Sequence, residues 1–153
     1  MSWEPGHAEI LAALKSGELQ QISGGQVAGE GWPASARTKC ATAALIADAD
    51  PESAYLTAYD AARFALVGVL AQQGRRATQR GGHLGVEHAI RAQFGANFSG
   101  HGTLRRRRAE LEYPAYPGEK IEQEELSQAI KTTEKIIEAA EKLLPHLTIY
   151  TAT

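Results

Sequence analysis

The chain has 153 residues, 43% of them hydrophobic, with a formal charge of −2 and a pI near 6.2, enough for one domain with a proper core and too little for two. That balance excludes a globally basic binder of nucleic acid or anionic membrane, so a basic footprint has to be local, as in the run Arg105, Arg106, Arg107, Arg108. The single cysteine, Cys40, excludes an internal disulfide and sits among alanines, where packing is its expected role. No stretch is read as approaching the roughly 20 apolar residues of a membrane span, the N-terminus lacks the basic start of a signal peptide, and a cytoplasmic protein is expected.

Helical periodicity runs along the whole chain, and no alternation of β-branched residues predicts a strand. Residues 7–21 predict a short amphipathic helix through Ile10, Leu11 and Leu14, weakened by Gly17. Residues 23–31, with Gly24, Gly25, Gly29 and Gly31, read as a flexible connection. A second helix over 33–47 opens with Pro33 in its first turn, and its alanines let a neighbouring helix come close. Asp50 followed by Pro51 starts a third helix, to about residue 73, because Asp accepts free amide hydrogens of the first turn while Pro forfeits none that matter. Tyr55, Tyr59, Ala62, Leu66 and Val69 define its buried face, and Gly74 ends it. Residues 74–82, with Arg75, Arg76 and Arg80, read as a basic loop, and 83–94 as a helix with Leu84, Glu87 or His88, and Arg91 on a mixed face. A short helix over 103–112 is stopped by Pro114 and Pro117. The last, 123–144, carries the stripe Leu126, Ile130, Thr133, Ile137, Ala140 and Leu144. The expected fold is all-α: a single-domain antiparallel bundle of about six helices over residues 1–153, with residues 7–31 leading into a core bundle at 33–147.

Charges break two of these stripes. Leu104, Arg108 and Leu111 share one side of a helical wheel, so Arg108 faces the core or a partner while Arg106 points away. A lone buried charge is too costly to leave unpaired, and Glu112, four residues on, is placed to answer it. Leu56, Asp60, Arg63, Val67 and Leu70 form the other stripe, with Asp60 and Arg63 one turn apart. That pair reads either as an ordinary ion pair at the bundle border or as Asp60 orienting Arg63 or Arg108 at a polar cleft built from two copies of the chain. The arginine run reads likewise as a solvated face or as a phosphate contact. His83 and His88 lack i, i+4 spacing and no cysteine or acidic cluster joins them, so no metal site is expected; His83 alone reads as a cap or an exposed residue. Gly81 and Gly82 lack the Lys and Ser/Thr of a P-loop and follow no predicted strand, so no nucleotide cofactor, and no other cofactor, is expected.

The order of the tract YDAARFALVGVLAQQG (59–74), RGGH (80–83), LRRRRAELEYP (104–114) and the closing amphipathic helix resembles the HEPN superfamily, in particular its small actinobacterial-type members. The resemblance covers most of the chain after about residue 34. It implies a helical bundle that dimerises so that two copies of an Arg-x4–6-His motif share a cleft and cut RNA without a metal, often as the toxin of a toxin–antitoxin pair. The histidine there serves the 2′-hydroxyl and leaving oxygen, and the arginine steadies the phosphate. Carried over, Arg108 takes the arginine place and Tyr113 that of the histidine, with Ala109 where a polar residue often follows and no histidine within reach by sequence. Arg108, Tyr113 and Asp60 are then the implied catalytic group, and Arg105, Arg107, Arg63, Arg80 and His83 the RNA contacts. The implied partners are a second copy and RNA. The alternative is a non-catalytic module that binds RNA, a nucleotide or a partner protein such as a nucleotidyltransferase or a helix-turn-helix antitoxin.

Overall fold

A computed structural model describes residues 4–149, so the outermost ends of the expected 1–153 domain lie outside the described residues. The chain is an all-helical bundle with a small ribbon attached. In order it forms α1 (His7–Ser16), β1 (Leu19–Gln21), α2 (Gly31–Ile46), α3 (Pro51–Gln72), β2 (Arg75–Ala77), α4 (Gly82–Phe94), α5 (His101–Glu112) and α6 (Gln123–Leu143), with 3-10 turns at Gly24–Gln26, Gly95–Phe98 and Leu144–His146.

Helix α3 is the axis, packed by α2, α4, α5 and α6. Asp50 caps it as its sequence predicts, Oδ1 accepting from the Ser53 amide at 3.1 Å. Its predicted face, Tyr55, Tyr59, Ala62, Leu66 and Val69, is buried, and so are Ala54, Ala58, Ala61 and Ala65. Those alanines let helices close on α3 from several sides, and Thr133 of α6 reaches its backbone, Oγ1 donating to the Ala58 carbonyl at 3.1 Å. Among the described residues α3 is also the one helix long and apolar enough, by length and composition, to cross a membrane, which corrects the reading that no stretch approaches a span; 67% of that stretch is buried inside the bundle. Cys40 packs inside as expected, and burial followed by the nearby Glu134 carboxylate pushes its thiol up.

Three local readings need correction. The first helix stops at Ser16, not near residue 21, because Gly17 takes φ +82° and closes it. Residues 19–21 instead form β1, which pairs antiparallel with β2 in the register Leu19↔Ala77, Gln20↔Arg76, Gln21↔Arg75. Neither strand carries a β-branched residue, so nothing in the pattern marked them. The basic loop is therefore part of a ribbon, and Arg75 is buried, with Nη1 donating to the Gly74 carbonyl at 3.2 Å.

The glycine-rich connection is not a loose tether either. Its Gly29 amide donates to Gln72 Oε1 at 2.9 Å, and a Cβ at Gly29 would lie 2.3 Å from the Gly68 carbonyl oxygen. A Cβ at Gly68 would lie 2.6 Å from Trp32 Cβ. The two glycines thus allow a backbone contact that presses the start of α2, and Trp32 with it, onto α3. Helix α5 starts at His101, two residues before its predicted start, after Gly100 turns the chain at φ +97°.

Candidate functional site

The α3, α4 and α5 helices converge on one residue, Tyr59. It is wholly buried on α3, and its hydroxyl lies 2.8 Å from Nδ1 of His83 in the first turn of α4. His101, opening α5, stacks on the same phenol ring at 5.5 Å between centroids and 17° between planes. Two turns further along α5, the Arg108 guanidinium lies over the ring at 5.7 Å and pairs with Glu112 at 2.5 Å. So Arg108 turns inward, as its place on the wheel requires, and Glu112 answers it. Arg63, one turn after Tyr59 on α3, meets Asp60 at 3.4 Å and lies 5.2 Å over the Phe64 ring, and its Nε is buried with no hydrogen-bond partner.

A second anchor joins α4 to α5. The Glu87 carboxylate, almost entirely buried, accepts from Arg105 Nε at 2.6 Å and Arg91 Nη2 at 3.2 Å. Gly102 makes this possible: a Cβ there would lie 2.3 Å from Glu87 Oε1.

Burial shapes the titration of this cluster. It raises the Tyr59 phenol to about 12, against the opposing pull of Arg63, Arg108 and Arg105, so the phenol keeps its proton. It pushes His101 down to about 4, and neither ring nitrogen of His101 has a hydrogen-bond partner. His83 is lowered too, first by burial and then by repulsion from Arg108 and Arg63, so it is neutral at pH 7. Because Nδ1 of His83 is engaged by Tyr59, Nε2 is left for whatever enters the cleft that His83 lines. That cleft, of about 360 Å³, is also bounded by Trp32, Arg63, Arg76 and Gln79. A neutral imidazole between two guanidiniums is a place where a proton can be taken up beside a bound anion.

The structure therefore brings together Asp60, Arg63, His83 and Arg108, with Arg105 behind them on Glu87. It leaves three of the sequence's candidates apart. Tyr113 follows the end of α5 and is 77% exposed. Arg80 is exposed in the turn before α4. Arg107 is bound elsewhere, Nε to Glu125 at 2.8 Å and Nη1 to Glu110 at 2.9 Å and Glu119 at 3.2 Å. No histidine lies within reach of Arg108 along the chain, but the fold brings two to the Tyr59 ring that Arg108 covers. His83 comes from another helix, and His101 became visible only once α5 began early enough to place it on the Leu104–Arg108 stripe. Tyr59 read as core alone because its ring is indeed buried; its hydroxyl carries the information.

Among the described residues no three or more His, Cys, Asp or Glu side chains are grouped so as to hold a metal ion. Compared with models of protein families, with curated proteins and with solved structures, the chain matches none.

Proposed function

We propose that the chain is an RNA-directed protein of HEPN type, working as a homodimer in the cytoplasm, in which His83 takes the part that Tyr113 cannot. The observation that carries this reading is the Tyr59–His83 hydrogen bond of 2.8 Å, made by the same phenol that the Arg108 guanidinium covers at 5.7 Å. A phosphodiester enters between Arg63 and Arg108, whose charges offset the negative charge that builds on phosphorus-bound oxygen. When His83 carries its proton on Nδ1 and donates it to the Tyr59 oxygen, Nε2 presents a lone pair. It takes the proton of the ribose 2′-hydroxyl as that oxygen attacks phosphorus. The bond to the 5′-oxygen breaks, and a 2′,3′-cyclic phosphate and a 5′-hydroxyl result. The leaving oxygen takes its proton from an imidazolium, supplied by His83 itself or by its copy across the dimer axis. Tyr113, exposed at the end of α5 and apart from this cluster, has no comparable base to offer.

A second reading is supported by one observation: Arg63 and Arg108 each already meet a carboxylate, Asp60 and Glu112, which competes with phosphate. In that reading the cleft binds RNA, a nucleotide or a partner, such as a nucleotidyltransferase or a helix-turn-helix antitoxin, without turnover. Incubation of the purified, size-resolved protein with single-stranded RNA, with and without EDTA, separates the two. Cleavage unaffected by EDTA, leaving cyclic-phosphate ends and lost in His83→Ala, is the expected result. Salt-sensitive binding without cleavage selects the second reading with RNA as its ligand, and neither cleavage nor binding overturns the RNA-directed reading.

A further inference from the structure

Building on the RNA reading of this site, we propose that the cleft beside His83 is a nucleobase subsite, in which Trp32 stacks on the base next to the phosphate held by Arg63 and Arg108. The cleft's about 360 Å³ falls at the lower end of the roughly 300–1,000 Å³ range of small-ligand pockets, a size for one nucleotide and not for a duplex. Its lining is divided as a nucleotide is. Trp32, Val67 and Val86 supply apolar walls, Gln79 supplies a hydrogen-bonding side chain, and Arg63 and Arg76 supply charge. The buried, unpartnered Nε of Arg63 is a donor with nothing yet to bond.

Trp32 is held for such a task. Its indole meets Phe64 edge to face at 5.2 Å, and Phe64 in turn is flanked by the Lys39 ammonium at 4.7 Å and the Arg63 guanidinium at 5.2 Å. The Gly29–Gly68 contact fixes the backbone around it. Yet Trp32 is only partly buried, and it lines a second hollow of about 270 Å³, which shares Val67 and Arg76 with the first and extends toward Gly25 and Gln26. An indole fixed between two hollows that share a cationic wall is the arrangement by which proteins carry successive unpaired bases.

The test is a fluorescence titration of the full chain with short single-stranded RNA, in a Trp3→Phe background so that Trp32 is the reporter. Saturable quenching is expected, with the same oligonucleotide made abasic binding roughly 5- to 150-fold more weakly. Trp32→Leu should weaken binding of the normal oligonucleotide over the same range, and Trp32→Phe should restore much of it. The abasic ligand keeps the test independent of any folding defect in the variants. If RNA binds in an Arg108-dependent manner, equally well with and without bases and without quenching, the subsite is wrong while the RNA reading stands. If no RNA binds at all, the RNA reading fails and takes the subsite with it.

Discussion

Two neighbours in one arginine run meet opposite fates. Arg107 is spent on architecture, with three glutamates from α5, the following loop and α6 around its guanidinium. Arg108, about a hundred degrees further round the helix, has one intrahelical carboxylate and an aromatic ring, and faces a neutral histidine. The difference lies in what the opposite helix presents: α6 and the loop before it offer acids, and α3 and α4 offer Tyr59 and His83. A charge run that looks uniform in sequence is thus divided into a clamp and a site by the helix's own geometry. The sharpest way to break this comparison is to truncate each residue. Arg108→Ala should lower RNA cleavage by about 10²- to 10³-fold with little change in stability. Arg107→Ala should leave activity per folded molecule unchanged and cost about 1–2 kcal/mol of stability, a modest sum because water screens the network. Equal effects of the two on cleavage, with denaturant unfolding measured alongside, would mean that the division is not functional.

The join between α4 and α5 supplies the next largest effect. Glu87→Ala strands the Arg105 guanidinium against a site built around its carboxylate, at a cost of about 3 kcal/mol in denaturant unfolding. Since His83 and Arg108 sit on the two helices this carboxylate ties together, activity should fall along with stability. A variant that is destabilised yet fully active would show that the site is held by Tyr59 alone.

His101 sharpens the comparison in another way, because it shares Tyr59 with His83 but has no hydrogen bond there. Its folded value of about 4 lies below the usual 6.5, so the unfolded chain binds the extra proton first. The stability it contributes is complete above pH 6.5 and is lost as pH falls toward 4, roughly 3 kcal/mol in all. His101→Phe keeps a ring on Tyr59 and removes the titration, so its stability should fall much less over that window. A residual slope remains from His83, which is also held below its ordinary value. Urea midpoints measured from pH 7 to pH 4 decide the matter: parallel curves for the two proteins would show that His101 is not buried as a neutral ring.

What could be read from the chain beforehand follows from the range of the interactions involved. The helices were legible because caps such as Asp50 and stripes such as Leu126 to Leu144 act within a turn or two. So were the Asp60–Arg63 and Arg108–Glu112 pairs, at spacings of three and four. The ribbon was not, since its stability comes from pairing across more than fifty residues and its strands lack any pattern of their own. Nor was the rigidity around Gly29, because a glycine read as freedom in sequence here serves close contact with Gly68. The centre of the site was hidden for the same reason: Tyr59 and His83 meet only after α3 and α4 are packed, and nothing in either local stretch announces the other.

The smallest expected effect is the most discriminating for the family resemblance. Tyr113 occupies the position where an Arg-x4–6-His motif has its histidine, yet it is 77% exposed and closes α5 through its amide, which donates to the Ala109 carbonyl at 2.9 Å. If catalysis runs through His83, Tyr113→Phe removes only a solvated hydroxyl, and cleavage should change less than about twofold. The same substitution at Tyr59 takes away the hydrogen bond that orients His83 and should shift the acidic limb of the pH–rate profile, so the two phenols serve as mutual controls. Should Tyr113→Phe instead abolish cleavage while Tyr59→Phe spares it, the acting group would be the motif position after all, brought to Arg108 of the opposite copy across the dimer axis, and His83 would be left with a packing role.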